Sequence, residues 1–364
     1  MNGKRFSPNR YPIRRLIIEE GVRDYSITNN VLKRIPGVKP EYKVPEEIKL
    51  LESECDRRTL ILTRNKGKFL KPCPGTKEYL CCQYRFLNVG LNCPIECTYC
   101  ILQVYLNTRA LIIFINHEDM FTELKSEIGQ DPSLIRIGTG ELTDSLALDP
   151  LTGLNPLLIH FFSRQRQCFL ELKTKSDHIG NLLELDHHGQ TIISWSLNPQ
   201  LIIDAEEGLA APLEARIMAA KKCRDRGYKI GFHFDPIILY KDWEREYEAV
   251  IDILFSKISP ESITWISLGC FRFIPPLKGI IRKKYPKSPI IYDEFIPGMD
   301  KKMRYPQPIR IKIYSALSKW IRKRAPGVFI YLCMESPEIW KKAIGEAPDN
   351  NMVLKSWLDE RCKI

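Results

Sequence analysis

Nowhere in the sequence do about 18 apolar residues run together, so it offers no membrane-spanning helix. No apolar segment follows the basic opening MNGKRFSPNRYPIRRL, which therefore does not read as a secretory signal. No fixed-period repeat or low-complexity tract appears, which excludes solenoids and arrays. Histidine is scarce, with 6 in 364 residues, and no cysteine lies between Cys100 and Cys168. What remains is a globular chain, 44% hydrophobic, long enough for one large domain or two ordinary ones. Its 12 cysteines, with no secretory signal, point to a reducing cytoplasm, where thiols serve metals or chemistry more often than disulfides.

The net charge of +11 is compatible with a nucleic-acid partner through phosphate neutralisation, and equally with a well-solvated basic surface. The cations gather late, in IRKKYPK (281–287), DKKMRYPQPIRIK (300–312) and KWIRKR (319–324). Some of them must be the wet faces of helices.

Residues 1–80 read as an irregular N-terminal extension that packs on the rest of the chain, with TLILT (59–63) its clearest strand. A rhythm then begins. Apolar, β-branched runs recur at 84–91, 134–140, 168–175, 191–198, 229–235, 263–269, 290–295 (IIYDEF) and 328–335. Helical segments lie between them, among them PLEARIMAAKKCRDRGY (212–228), with proline at its start and Gly227 at its end. YEAVIDILFSKI (247–258) has apolar residues at helical spacing. Strand and helix in alternation predict an α/β fold, a parallel sheet with crossover helices over residues 81–345, then a tail helix over 346–364. The runs end in polar residues: Glu141, Lys175, Ser196 with Asn198, Asp235, Arg272, Glu294 and Glu335. In a β/α barrel these ends converge on one mouth.

The segment CPIECTYC packs Cys93, Cys97 and Cys100 into eight positions just after the first of these runs. Structural zinc sites want four ligands, and no second knuckle of comparable spacing is present. A 4Fe–4S cluster usually takes one cysteine per iron, so three thiolates would leave one iron open. The CxxxCxxC spacing, with Tyr99 before the last cysteine, resembles the radical S-adenosylmethionine superfamily. That resemblance implies a partial (β/α)6-type barrel carrying a 4Fe–4S cluster on Cys93, Cys97 and Cys100. Its open iron would be chelated by the amino and carboxylate groups of S-adenosylmethionine. An electron from the cluster then releases a 5′-deoxyadenosyl radical, and a donor such as flavodoxin or ferredoxin supplies that electron. The resemblance further implies that Gly138, Gly140 and Glu141 face the methionyl ammonium, and that Lys175, Ser196 and Asn198 hold the carboxylate and ribose.

Within the superfamily, the order CTYC, TGE, D, TK, SLN, DP, W over about residues 55–340 looks like spore photoproduct lyase and its DNA repair photolyase-like relatives. This implies an enzyme that acts on a nucleic-acid substrate, DNA. The departures matter. The lyase's hydrogen-donating cysteine corresponds to Glu141 here, and a second relay tyrosine corresponds to Ile101, whereas Tyr99 is kept. A carboxylate O–H bond is far too strong to replace a thiol, so Cys270 and Cys333 are the candidate donors, against inert burial. His233 and Asp235 share one strand face and read as substrate contacts, together with Arg272, or as core hydrogen-bonding groups. Cys73, Cys81 and Cys82 lack a nameable fourth ligand, and His187 and His188 read as a loop. Two other classes stay open: a radical enzyme acting on RNA, a peptide or a small molecule, and a nucleic-acid-binding protein with a structural or redox-sensing cluster.

Overall fold

The computed structural model describes residues 11–363 except Lys77 and Leu134. The first ten residues of the basic opening, Leu134 at the head of the expected strand 134–140, and Ile364 at the end of the expected tail lie outside the described residues. In chain order the strands begin with β1 (Arg15–Glu19), β2 (Pro40–Lys43), β3 (Thr59–Thr63), β4 (Leu70–Pro72) and β5 (Arg85–Leu87). They continue with β6 (Gly90–Leu91), β7 (Leu111–Phe114), β8 (Arg136–Gly138), β9 (Phe169–Thr174), β10 (Thr191–Ser196) and β11 (Lys229–Ile237). The last are β12 (Ile263–Cys270), β13 (Arg272–Phe273), β14 (Ile296–Pro297), β15 (Met303–Arg304) and β16 (Ile330–Leu332).

The largest sheet has the order β16-β12-β11-β10-β9-β8-β5-β4. Its strands β5, β8, β9, β10, β11 and β12 are parallel neighbours, the six core strands the sequence predicts. Parallel β16 extends the sheet at one edge and antiparallel β4 at the other. The sheet curls into a half-barrel. Crossover helices pack behind it, Leu213–Arg224 against β10 and β11. Gly227, at φ +82, turns the chain from that helix into β11.

Side chains alternate across the strands. Leu170, Leu172, Ile193, Trp195, Phe232 and Phe234 are buried in the core. Truncating fully buried Trp195 to alanine is expected to cost about 3–5 kcal/mol. The intervening residues Glu171, Lys173, Ser194, Ser196, His233 and Asp235 line the other face. The register sets Ser194 beside Lys173, and Ser196 beside His233. The inside of the half-barrel is therefore polar.

Three sequence expectations need correction. The N-terminal stretch is more regular than expected: TLILT is β3, as expected, but parallel β1 and β2 stand beside it and all three join β7 and β6 in a second sheet of order β2-β1-β3-β7-β6. Short strands between prolines gave it an irregular look. The run 84–91 is two strands in two sheets: Asn88 N–H still donates to Phe69 O at 2.8 Å beside β4, whereas Val89 O already accepts from Phe114 N–H at 3.0 Å beside β7. Gly90 then approaches Ile112 so closely that a Cβ would stand 2.3 Å from its carbonyl oxygen. The run 290–295 is not a strand. Ile290 and Ile291 are buried, but the place beside β12 belongs to β16, and Tyr292 is exposed. Among the described residues no helix is long and apolar enough to cross a membrane.

Candidate active site

The cysteine loop leaves β6 through Asn92, at φ +67, whose side-chain amide donates to Thr108 O at 2.9 Å and Ala110 O at 2.8 Å. Those two bonds offset the left-handed backbone that asparagine tolerates better than most residues. On the far side the turn at 206–209 braces the loop. Thr98 N–H donates to Glu206 O and Leu209 N–H to Ile95 O, both at 2.8 Å. Gly208, at φ +44, permits this approach, since a Cβ there would stand 2.3 Å from Ile95 O.

One cavity then gathers groups from five segments. Cys93, Cys97, Tyr99 and Cys100 form one wall; Gly140, Glu141 and Asp144 follow β8; Lys173 and Lys175 come from β9 and its end; Ser196 ends β10 and Asp235 lies near the end of β11. A neighbouring cavity shares Tyr99, Cys100 and Asp235 and adds Phe271, Arg272, Lys302 and Met334. Of the sequence candidates, the three cysteines, Tyr99, Gly140, Glu141, Lys175, Ser196, Asp235 and Arg272 are thus brought to one mouth. Arg272 donates to both Asp235 oxygens, at 3.3 and 3.1 Å.

The others lie elsewhere. Gly138 is beneath the Tyr84 ring, where a Cβ would meet Tyr84 Oη at 2.5 Å. Asn198 is buried, donating to Glu207 at 2.9 Å and accepting from the Tyr247 hydroxyl at 2.8 Å. His233 is buried with Nε2 3.0 Å from Glu171 Oε1. Cys270 and Cys333 line neither cavity; Cys333 Sγ lies 3.5 Å behind Arg272 Nη2. Two strand-end acids do not converge: Glu294 follows the segment that is no strand, and buried Glu335 pairs with Arg310 at 3.1 Å. His187 stacks on Tyr228 with ring centroids 3.8 Å apart, and His188 pairs with Asp186 in the same turn.

Three acids that the sequence reading did not single out organise the mouth. Glu207 accepts hydrogen bonds from Tyr99, Asn198 and Arg216, and Lys175 Nζ lies 3.9 Å away. Burial pushes its carboxyl up, but Arg216 and Lys175 prevail and hold it at about 2. Asp144 accepts from Leu146 N–H (3.0 Å), Ala147 N–H (2.8 Å), Thr174 Oγ1 (2.7 Å) and Lys175 N–H (2.8 Å), tying the β8 and β9 ends together. Glu171 is likewise held at about 2: burial opposes, and the His233 and Ser194 hydrogen bonds win. Burial instead raises the Glu141 carboxyl, against the lowering pull of nearby Lys173. Lys173 was legible: it lies two residues before Lys175, on the same strand face. Glu207 and Asp144 carried no periodic signal of their own.

These residues fit the cluster and the nucleoside cofactor. Among the described residues no three His, Cys, Asp or Glu side chains gather closely enough for a single metal ion. A cluster asks for something different, since each thiolate takes its own iron. Burial pushes the three thiols up, Cys97 to about 12, so iron would bind by displacing their protons. Opposite the thiols stand a glycine that admits a close ligand, a carboxylate for an ammonium, and a lysine for a carboxylate. At Gly140 a Cβ would meet Lys173 Cβ at 2.9 Å.

Comparison with known proteins bears on the same fold. The sequence matches the model of the family "Spore photoproduct lyase" over residues 43–314. It is 27% identical over 256 residues to spore photoproduct lyase of Geobacillus sp. (strain Y412MC61), covering 69% of this chain and 73% of that protein. With the Bacillus subtilis (strain 168) enzyme it is 30% identical over 208 residues, 56% of this chain and 60% of that one. A solved spore photoproduct lyase variant with dinucleoside spore photoproduct superposes with TM-score 0.78 and 22% identity, covering 88% of this chain and 98% of that one. Another, with bound AdoMet and dinucleoside spore photoproduct, gives 0.77 and 22%, covering 89% and 99%. The family match spans well over half of the chain, and the solved structures share its half-barrel: this is a radical S-adenosylmethionine enzyme, and it belongs to the spore photoproduct lyase family.

Proposed function

We propose that the protein uses a 4Fe–4S cluster and S-adenosylmethionine to open a covalently damaged pyrimidine site in DNA. The observation that carries this reading is the convergence of Cys93, Cys97, Cys100, Gly140, Glu141, Lys175 and Ser196 on one cavity at the strand ends. When bound, the cofactors supply a 5′-deoxyadenosyl radical able to remove a hydrogen atom from an unactivated carbon. The chain's own part is placement. The three cysteines hold the cluster. Glu141 and the bare backbone at Gly140 receive the methionyl ammonium, Lys175 the carboxylate and Ser196 the ribose. Tyr99 closes the wall beside the third cysteine, its hydroxyl fixed on Glu207. Asp235 and Arg272, paired across the adjoining cavity, face the substrate.

None of the 12 cysteines is joined in a disulfide, which supports work in the reducing cytoplasm. A substrate of DNA is supported by the relatives, one of which holds dinucleoside spore photoproduct in its structure. Where this chain parts from them is the end of the reaction, because the residue answering to the lyase's donor thiol is Glu141. The test is anaerobic incubation of the reconstituted, reduced protein with S-adenosylmethionine and dinucleoside spore photoproduct. Formation of 5′-deoxyadenosine that rises with the lesion supports the reading, and no 5′-deoxyadenosine under any reductant overturns it.

A further inference from the structure

The cysteine loop has a second side. Leu102, which lines the active-site cavity, also lines a separate cavity of about 440 Å³ whose walls include Arg57, Arg109, Lys283, Lys284 and Gln103. Four cations line it, and three of them face one carboxylate. Glu96, in the cysteine loop, has Arg57 Nε at 2.9 Å, Lys284 Nζ at 3.5 Å and Arg109 Nη2 at 3.9 Å. The Arg57 guanidinium also donates to the carbonyl of Cys93, so the groove touches the backbone of a cluster cysteine directly. Burial depresses the Lys284 ammonium, and Arg57 and Arg109 add to this against the opposing pull of Glu96.

We infer that this groove is the docking surface for an acidic one-electron carrier protein that reduces the cluster from behind the cysteine loop. The inference rests on the cysteine loop holding a cluster, as proposed above. The step is a plain electron transfer: one electron leaves the carrier's reduced centre and enters the cluster, with no bond made or broken. Geometry favours this position because the substrate has to enter the cavity on the other side of Leu102, leaving the groove free throughout turnover. Charge favours an acidic protein, since complementary potentials steer and align such encounters.

Nucleic acid is the rival occupant. A duplex needs a run of phosphate contacts, whereas these cations cluster around one loop, and other late cations are already engaged. Arg304 and Arg310 are buried against Glu335, Arg324 pairs with Glu248 and Asp252, and Lys312 pairs with Glu244.

The test uses the reconstituted holoenzyme with the double charge reversal Arg109→Glu/Lys283→Glu, two exposed positions outside the active-site cavity. The probe is a purified acidic flavodoxin. Its affinity is measured by flavin fluorescence anisotropy across a salt series, and cluster reduction by stopped-flow bleaching. The expected result is an affinity and a flavodoxin-driven reduction rate each lowered by about tenfold or more at low salt, with a flatter salt dependence. Dithionite, which needs no docking, should reduce variant and wild type alike. Unchanged flavodoxin binding and reduction overturns the inference, as does a variant that loses duplex DNA affinity while still taking electrons from flavodoxin. Failure of dithionite to yield 5′-deoxyadenosine in the wild type overturns the cofactor reading instead.

Discussion

The Tyr99 hydroxyl donates to the Glu207 carboxylate, 108 residues further along the chain. That bond ties the cysteine loop to the turn that braces it and to buried Arg216. Changing Glu207→Gln leaves the Arg216 charge without its partner. Breaking a buried pair in this way is expected to cost about 3–5 kcal/mol, read by urea denaturation of the cluster-free protein. Tyr99→Phe removes only one hydroxyl and should cost about 1–3 kcal/mol. Equal losses from both would mean that Arg216 finds another acceptor.

Acid should destabilise the fold in a defined window. Glu171 and Glu207 both sit at about 2, below the ordinary 4.5. A depressed carboxyl stabilises the fold above its unfolded value and loses that contribution as pH falls through the folded one. Stability should therefore decline from about pH 4.5 towards 2, by up to about 3 kcal/mol per group. Denaturant midpoints recorded between pH 7 and 2.5 check this, and Glu171→Gln should flatten the curve. Raised Glu141 works in the opposite direction, costing stability at higher pH, so Glu141→Gln should stabilise the cluster-free protein near neutrality.

Loss of any one cysteine among Cys93, Cys97 and Cys100 should abolish cluster binding, because three-thiolate ligation has no spare ligand. Iron and sulfide analysis of each alanine variant after anaerobic reconstitution reads it. Full iron retention in the triple variant would place the cluster elsewhere, with Cys73, Cys81 and Cys82 the next thiols to test.

Lys175→Ala should weaken S-adenosylmethionine binding by about 1–3 kcal/mol, as a partly buried carboxylate loses a charged partner. Equilibrium dialysis against the reconstituted protein measures this, with the EPR spectrum of the reduced cluster as a second readout. Unchanged affinity would leave Lys175 serving only Glu207, 3.9 Å away.

Spore photoproduct should be consumed poorly, with 5′-deoxyadenosine formed in excess over repaired thymine. On the reading that Glu141 stands in place of the relatives' donor thiol, Glu141→Cys should raise the ratio of thymine product to 5′-deoxyadenosine. Clean repair by the wild type, lost on Cys270→Ala or Cys333→Ala, would show instead that one of those thiols returns the hydrogen atom. Cys333 Sγ lies 3.5 Å from Nη2 of Arg272, a residue of the mouth.

The strands of the half-barrel were legible because their helix-facing side is apolar at alternate positions, as at Leu170 and Leu172, Ile193 and Trp195, and Phe232 and Phe234. The polar residues at their ends, Lys175, Ser196 and Asp235, stood out against that background. In the N-terminal sheet only β3, the run TLILT, was legible; β1 and β2 are held by partners distant in sequence and their short runs carry no alternation. IIYDEF misled for the converse reason: its apolar pair is buried, and local composition does not say which strand occupies the place beside β12. Glu207 was hidden by its position. It follows a helix of only seven residues, Gln200–Glu206, and owes its role wholly to Tyr99, Lys175 and Arg216 arriving from elsewhere.

The cysteine loop is anchored at both ends by bonds that involve no metal: Asn92 to the carbonyls before β7, and Thr98 and Ile95 to the turn at 206–209. Small zinc modules fold only when their metal arrives. Here the two ends of the loop are held by bonds that need no metal. Both anchors should therefore outlast the loss of iron, and far-UV circular dichroism before and after anaerobic reconstitution should differ little.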